Sequence, residues 1–430
     1  MIARKLTLAS VLAAAMPAHA APAFLQRLDA GANLIENAAY GYGLSGDEAR
    51  IAAGEPGGLS GGAPAVAGGA VEIWRREGSA LVREQRVLPP VPTTAGLFGV
   101  RTALSGDWLA VLDTSGGERV HQYLRAGGVW SLQQTLTPGP DDGSWGIALG
   151  LLDDCLVVGS PGYTPGAGAS SSGAVHRYRR SGTTWVEQAL ITGLDDAANR
   201  TFGDAVALDR RSDGVLQLAV GAGGRNQGNG AVYVLRDDGA GWLQEQRLQL
   251  ADAQLDERLG SAVALRGDTL LAGAPQATMS MQALAGRAVV WRRTGSGDFP
   301  WVHDATLADP APAQGDKFGQ SVALVREDEA LVGVPWRDVV VIASYADAGA
   351  VKRYVHGRST STCAPAWLDA GGLGNPAALP QAGALYGGTL ARGRLVGIGA
   401  IAATVQSTAA AGFVDALYED GVFADAFDCP

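Results

Sequence analysis

From Leu259 the chain alternates. Ser261, Val263 and Leu265 fall on one face of an extended segment and Ala262 and Ala264 on the other, the two-residue period of a β-strand. Gly267-Asp268 predicts a tight reversal, residues 269–273 a second strand, and Pro275, which has no N–H to donate, its end. A glycine-rich loop then leads to a third strand rich in β-branched and aromatic residues, as in Gly69-Ala70-Val71, Gly173-Ala174-Val175, Gly230-Ala231-Val232 and Gly349-Ala350-Val351. After a polar turn, a fourth strand opens at Trp130, Trp185, Trp242 or Trp301, and at Leu81 in the first unit.

The whole pattern recurs. An aromatic-Gly step opens the copies at Tyr42-Gly43, Phe98-Gly99, Trp145-Gly146, Phe202-Gly203 and Phe318-Gly319, Leu259-Gly260 stands for another, and a worn seventh begins at Tyr386-Gly387. Successive glycines lie 56, 47, 57, 57, 59 and 68 residues apart, enough for four antiparallel strands and their turns. Such units cannot bury their apolar faces alone, so they must be arranged side by side, as blades of a propeller are. The expected fold is all-β: a seven-bladed propeller of four-stranded antiparallel blades spanning residues 21–418. The alanine faces of the first strands suit the crowded axis. In the seventh unit, 386–391, 395–399 and 412–418 supply three strands. Residues 24–28, comparable to Glu245-Gln246-Arg247-Leu248, supply the fourth and close the ring, and residues 422–427 compete for that place.

The motifs Phe318-Gly319-Gln320-Ser321-Val322-Ala323-Leu324 and Leu331-Val332-Gly333-Val334-Pro335 resemble the FG-GAP repeats of integrin alpha subunits and of many exported bacterial proteins. The resemblance covers nearly the whole chain after its leader and implies a propeller that recognises partners on one face. Calcium-binding members carry an Asp-x-Asp/Asn-x-Asp/Asn-Gly loop between the first two strands. Here the hairpins read Ser45-Gly46-Asp47-Glu48, Ser105-Gly106-Asp107-Trp108 and Arg266-Gly267-Asp268-Thr269, with too few alternate carboxylates for a hard cation, so no metal site is assigned.

Residues 1–20 read as a secretory leader: Arg4 and Lys5, an apolar stretch over 6–16, and Ala18-His19-Ala20 as the cleavage site. Loss of Arg4 and Lys5 takes the net charge from −10 to −12, a field that disfavours nucleic acid and anionic membrane surfaces. No later run is long and apolar enough to span a bilayer. The expected product is a secreted or periplasmic monomer with a C-terminal tail, 419–430. Three cysteines remain: Cys155 reads as a core residue, and Cys363 and Cys429 are the candidates for a disulfide.

Catalytic chemistry is sparse. His121, His176, His303 and His356 each stand alone, without metal-ligand spacing or a nucleophile elbow, and no cofactor is implied. Asp252 with Asp256, Asp309 with Asp316, and Asp195-Asp196 lie in connectors as turn acids. The recurring tryptophans read as wedges between blades. The surface free to vary is the face carrying the loops between second and third strands, where Tyr163, Arg225, Asn226, Trp336 and Arg337 are the candidate ligand contacts. The function this implies is non-enzymatic recognition or adhesion toward an extracellular protein or glycan. The alternatives are a propeller lyase or glycosidase on polysaccharide, and a purely structural cell-surface module.

Overall fold

The structure, a computed structural model, describes residues 23–31, 37–57, 59–60, 66–91, 93, 97–166, 172–193, 201–224, 228–239, 241–293, 300–340, 344–345, 348–358, 365–373, 381, 384–391, 395–403, 405, 407–409 and 411–418. Seven four-stranded antiparallel sheets make up the described residues, with two short hairpins in loops. Blade 1 is Leu44–Gly46, Arg50–Glu55, Ala70–Glu77 and Ala80–Val87; blade 2 is Arg101–Ser105, Trp108–Asp113, Arg119–Ala126 and Val129–Leu136. Blade 3 is Leu149–Leu152, Cys155–Ser160, Ala174–Ser181 and Thr184–Glu187; blade 4 is Ala205–Arg210, Leu216–Gly221, Val232–Asp237 and Trp242–Leu248. Blade 5 is Ala262–Arg266, Thr269–Ala274, Arg287–Arg293 and Trp301–Leu307; blade 6 is Val322–Arg326, Glu329–Val334, Ala350–Arg358 and Pro365–Leu373. Blade 7 is Tyr386–Ala391, Leu395–Ala400 and Phe413–Tyr418, with Ala23–Leu28 antiparallel to Phe413–Tyr418 at its outer edge. The first strands touch in blade order and the first strand of blade 7 meets that of blade 1, so the sheets form a ring.

Position in the blade sets burial. Second strands such as Thr269–Ala274 and Cys155–Ser160 are buried at every residue because another blade covers each face. Fourth strands are mostly exposed or half-buried, as Val129–Leu136 is apart from Trp130 and Leu136, because their outer edge meets water. Trp130, Trp185 and Trp301 are buried at the head of their fourth strands and Trp242 is half-buried, which places these side chains between blades. Cys155 is buried among the apolar residues between blades 3 and 4, where burial pushes its thiol up to about 11. Cys363 and Cys429 lie outside the described residues.

Glycine sets the spacing between blades. A Cβ built on Gly54, Gly221 or Gly273 would lie 1.9 Å from the carbonyl oxygen of Gly99, Gly260 or Gly319 in the next blade, and one on Gly159 or Gly333 would lie 2.1 Å from that of Gly203 or Gly387. In these five blades the glycine at the end of the second strand thus rests on the glycine of the following aromatic-Gly step. The aromatic ring drops into the same boundary, edge-on to a third-strand ring in the pairs Phe98–Tyr123, Phe202–Tyr233 and Phe318–Tyr354.

Blade 1 corrects the sequence reading by two residues. Its aromatic-Gly step is Tyr40-Gly41, not Tyr42-Gly43: Tyr40 N–H donates to the Ala411 carbonyl, Gly41 N–H to that of Gly54, and Gly41 has φ of 87°. Tyr40 is fully buried, its hydroxyl receiving the Trp74 Nε1–H at 2.7 Å and facing Glu72, whereas Tyr42 is 37% exposed. A tandem Tyr-Gly repeat offers both registers, and only Tyr40 finds polar partners for its hydroxyl in the slot.

A clasp also links the outer strands. Gln85, Gln134 and Gln246 each use both ends of the side-chain amide on the backbone of the tryptophan opening the next blade's fourth strand, Trp130, Trp185 and Trp301, at 2.7–3.0 Å. Gln26 does half of this, accepting from Leu81 N–H at 3.0 Å. Beside it, Arg27 forms a two-pronged ion pair with fully buried Asp415 at 2.7 and 2.9 Å and covers the Phe413 ring at 3.8 Å. Removing one member of a buried pair leaves the other charge uncompensated, so Arg27→Ala is expected to cost about 3–5 kcal/mol in denaturant unfolding. Gly221→Ala should cost about 1–3 kcal/mol by overpacking, whereas Gly241→Ala, where a Cβ meets nothing within 4 Å, should lie near zero; equal losses at the two glycines would contradict the contact described.

Candidate functional site

First strands start on the face that carries the loops between second and third strands, so the residue after each aromatic-Gly step stands at the axial mouth. Around the ring these are Tyr42, Val100, Ile147, Asp204, Ser261, Gln320 and Gly388. All but Val100, which packs against the apolar cluster between blades 2 and 3, border with Arg101, Pro335, Trp336, Leu385 and Ile401 a cavity of about 560 Å³. Below it, Leu44, Thr102, Leu149, Val206, Val263, Val322 and Leu390 form a mostly apolar collar. The channel beneath, about 230 Å³, is lined by small and aliphatic residues with Ser45 and Thr102 as its hydroxyls.

Two ionic groups line the mouth. Arg101 donates through Nε to the Ile147 carbonyl at 2.8 Å and through Nη1 to the Val100 carbonyl at 2.9 Å, and lies 5.5 Å from the Tyr42 ring centroid. Asp204 accepts no hydrogen bond from a described residue; burial pushes its carboxyl up, and the charges of Arg258 and then Arg101 pull it down. The two do not touch. On the wall toward blade 6, the Lys317 ammonium sits 4.1 Å over the Trp336 ring.

Of the residues predicted from sequence, Trp336 borders this cavity. Tyr163 does not: it lies half-buried in its own loop, its N–H donating to Ser160 O and its carbonyl receiving Ser172 and Gly173. Arg337 is held in its blade by Asp309 and Asp316, away from the mouth. Arg225 and Asn226 lie outside the described residues. Sequence reading missed Tyr42 in this role, Arg101, Asp204 and Gln320. For Tyr42, Asp204 and Gln320 the signal was present, since the residue after the step differs in every unit; Arg101 stands one place later, where other units carry small residues.

The opposite mouth, about 660 Å³, holds Asp47, Asp209 and Glu327, which tie hairpins together. Asp47 accepts Gly106 N–H at 3.0 Å and Asp209 accepts Gly267 N–H at 2.7 Å, and Glu327 accepts from the Asp268 backbone. Connector acids do similar work. Asp252 and Glu257 hold buried Arg287 at 2.9 and 2.6 Å, and the Arg287 hydrogen bond holds the Asp252 carboxyl low. Asp142 receives Ser160 Oγ and His176 Nε2 at 2.8 and 2.7 Å, with Glu187 on the other imidazole nitrogen at 2.6 Å. Asp195 and Asp196 lie outside the described residues. Among the described residues, neither the channel nor the loop-face mouth brings two carboxylates together, the arrangement a glycosidase requires.

No protein-family profile matches the chain, and no curated protein matches it. Among solved structures, a chain in the "Crystal Structure of Mitotic Checkpoint Complex" is similar, with a TM-score of 0.52 and 15% identity over 97% of this chain and 98% of that one. At that identity the likeness concerns the fold, a seven-bladed β-propeller.

One buried cluster makes a pH-dependent prediction. Glu55 and Glu72, both fully buried, share Arg86, which comes within 2.8 Å of Glu55 Oε2 and 3.0 Å of Glu72 Oε1. No described donor reaches Glu55 Oε1. Burial first, opposed by Arg86 and reinforced by Glu72, pushes the Glu55 carboxyl from 4.5 up to about 7. The native state therefore holds this proton more tightly than the unfolded chain, and stability falls as pH rises from about 4.5 to about 7. A shift of this size corresponds to roughly 3 kcal/mol. Glu55→Gln is expected to be the more stable form at pH 8, with its advantage shrinking toward pH 4.5; parallel stability-pH curves from urea titration would refute the assignment.

Proposed function

We propose that this protein is an exported, non-enzymatic recognition module that binds an extracellular protein or glycan through its loop-bearing face. The observation that carries the reading is the contrast between scaffold and mouth. Blade boundaries reuse glycine against glycine, while the six residues that follow these steps and border the axial mouth are an aromatic, a carboxylate, an amide, a hydroxyl, an aliphatic and a glycine. A rigid scaffold leaves its loop and rim positions free to be shaped for a ligand. Trp336 and Tyr42 offer aromatic surface there, suited to a sugar face or an apolar side chain.

Export rests on the leader read in residues 1–20, and kinship with FG-GAP proteins on the repeated pairing of an aromatic-Gly step with a Gly-Ala-Pro-like corner. The pairing of Ala23–Leu28 with the third strand of blade 7 is read as the closure of the ring, in keeping with a monomer. Protein recovered from outside the cytoplasm should begin near Ala21. Binding to a glycan array or to an immobilised extracellular protein should fall at least tenfold in Trp336→Ala and Tyr42→Ala at unchanged unfolding midpoint, and persist in Arg210→Ala on the opposite face. Loss in Arg210→Ala with retention in the two mouth variants would overturn the choice of face.

A further inference from the structure

The loop-face mouth presents one charge of each sign that no described residue ties into a direct ion pair. Arg101 spends two donor groups on neutral carbonyls, Ile147 O and Val100 O, and no described carboxylate lies within ion-pair distance of it. Asp204 accepts no hydrogen bond from the described residues although its carboxyl is half-buried. Both border the cavity of about 560 Å³, Arg101 on blade 2 and Asp204 on blade 4, with Ile147 of blade 3 between them. Arg258 also acts on Asp204, from an exposed position outside the lining. Elsewhere acids and bases are joined directly: Arg287 with Glu257, Arg353 with Glu329, Arg27 with Asp415.

Two opposite charges on one cavity, held apart by their backbone and side-chain attachments, form a receptor for a molecule carrying the complementary pair. Resting on the loop-face reading, we propose that the axial mouth binds a small zwitterion of the amino-acid class, its carboxylate on Arg101 and its ammonium on Asp204. The guanidinium still has donors for a carboxylate, and planar donor geometry suits that group. The Asp204 carboxylate takes three-donor ammonium without competition from a protein hydrogen bond. Tyr42, Ile147 and Trp336 supply the apolar wall for a side chain, and the collar at Leu44 and Val206 sets the depth. An ion of one sign would leave the other group partly desolvated and unmatched, which disfavours simple amines and simple acids.

The test is titration of the mature protein with a panel of free L-amino acids by calorimetry, alongside the amine and the N-acetylated acid corresponding to each. At least one amino acid should saturate, its amine and acetylated analogues binding at least tenfold more weakly. Arg101→Gln and Asp204→Asn should each weaken it at least tenfold, and Arg258→Gln less than threefold. Should a mouth variant fail to fold, the two ligand analogues remove the same contacts from the other side and decide the question in its place. No saturable amino acid, an analogue that binds as well as its parent, or variants that keep full affinity would overturn the proposal. If capture of a protein or glycan still depends on Trp336 while no amino acid binds, this inference fails and the loop-face reading stands.

Discussion

Everything in this ring depends on how closely two backbones can approach where one blade meets the next. With a Cβ on Gly221 only 1.9 Å from the Gly260 carbonyl oxygen, no other residue fits without parting the blades. Gly230, before the third strand, makes a second approach to Leu259 of the same step. The two halves of the repeated motif therefore face each other across a boundary rather than within one blade. That explains why an aromatic-Gly step and a Gly-Ala-Pro corner, far apart in sequence, recur together: each needs its partner in the neighbouring unit.

The boundary between blades 2 and 3 tests that constraint. Leu112 and Glu118 stand where other units have glycine, and the Trp145 step makes no parallel bridge to the preceding blade among the described residues. Side chains fill the gap instead. Trp145 is 1% exposed and joins Leu112, Val120 and Leu156 in one cluster, and Trp108 meets Trp185 edge-on at 5.4 Å. A larger wedge replaces a close backbone contact, so the ring keeps its density by different means.

Most of the scaffold was legible in sequence because period-two alternation and turn residues report directly on strands and hairpins. The worn seventh unit was readable too, since the likeness of residues 24–28 to 245–248 reflects a shared place for Gln26 and Gln246 in the clasp between outer strands. Tyr42 was misread because two overlapping Tyr-Gly steps satisfy one pattern, and only the polar partners of Tyr40 choose between them. Arg337 looked like a loop cation; Asp309, in the connector before its blade, is 28 residues away in sequence and invisible to local reading. The mouth escaped for a different reason. Repeat analysis seeks what recurs, and the residues that distinguish one blade from another are what it averages away.

That last point bears on how a repeated scaffold acquires a site. Glycine spacing and aromatic wedges fix positions such as Leu265 and Val332 in the buried clusters against the preceding blade, so changes there are costly. In six blades the residue after the aromatic-Gly step borders the axial cavity rather than a boundary and is released from that constraint, whereas Val100 packs between blades 2 and 3. Six such positions converge from six segments of the chain onto one small opening. The backbone of the next blade can also hold a side chain at the rim, as the Ile147 carbonyl holds Arg101. Opposite charges such as Arg101 and Asp204 can then stand on one cavity without collapsing onto each other. Arg101 is tied to two backbone carbonyls and makes no ion pair with Asp204, so both groups stay open to a ligand.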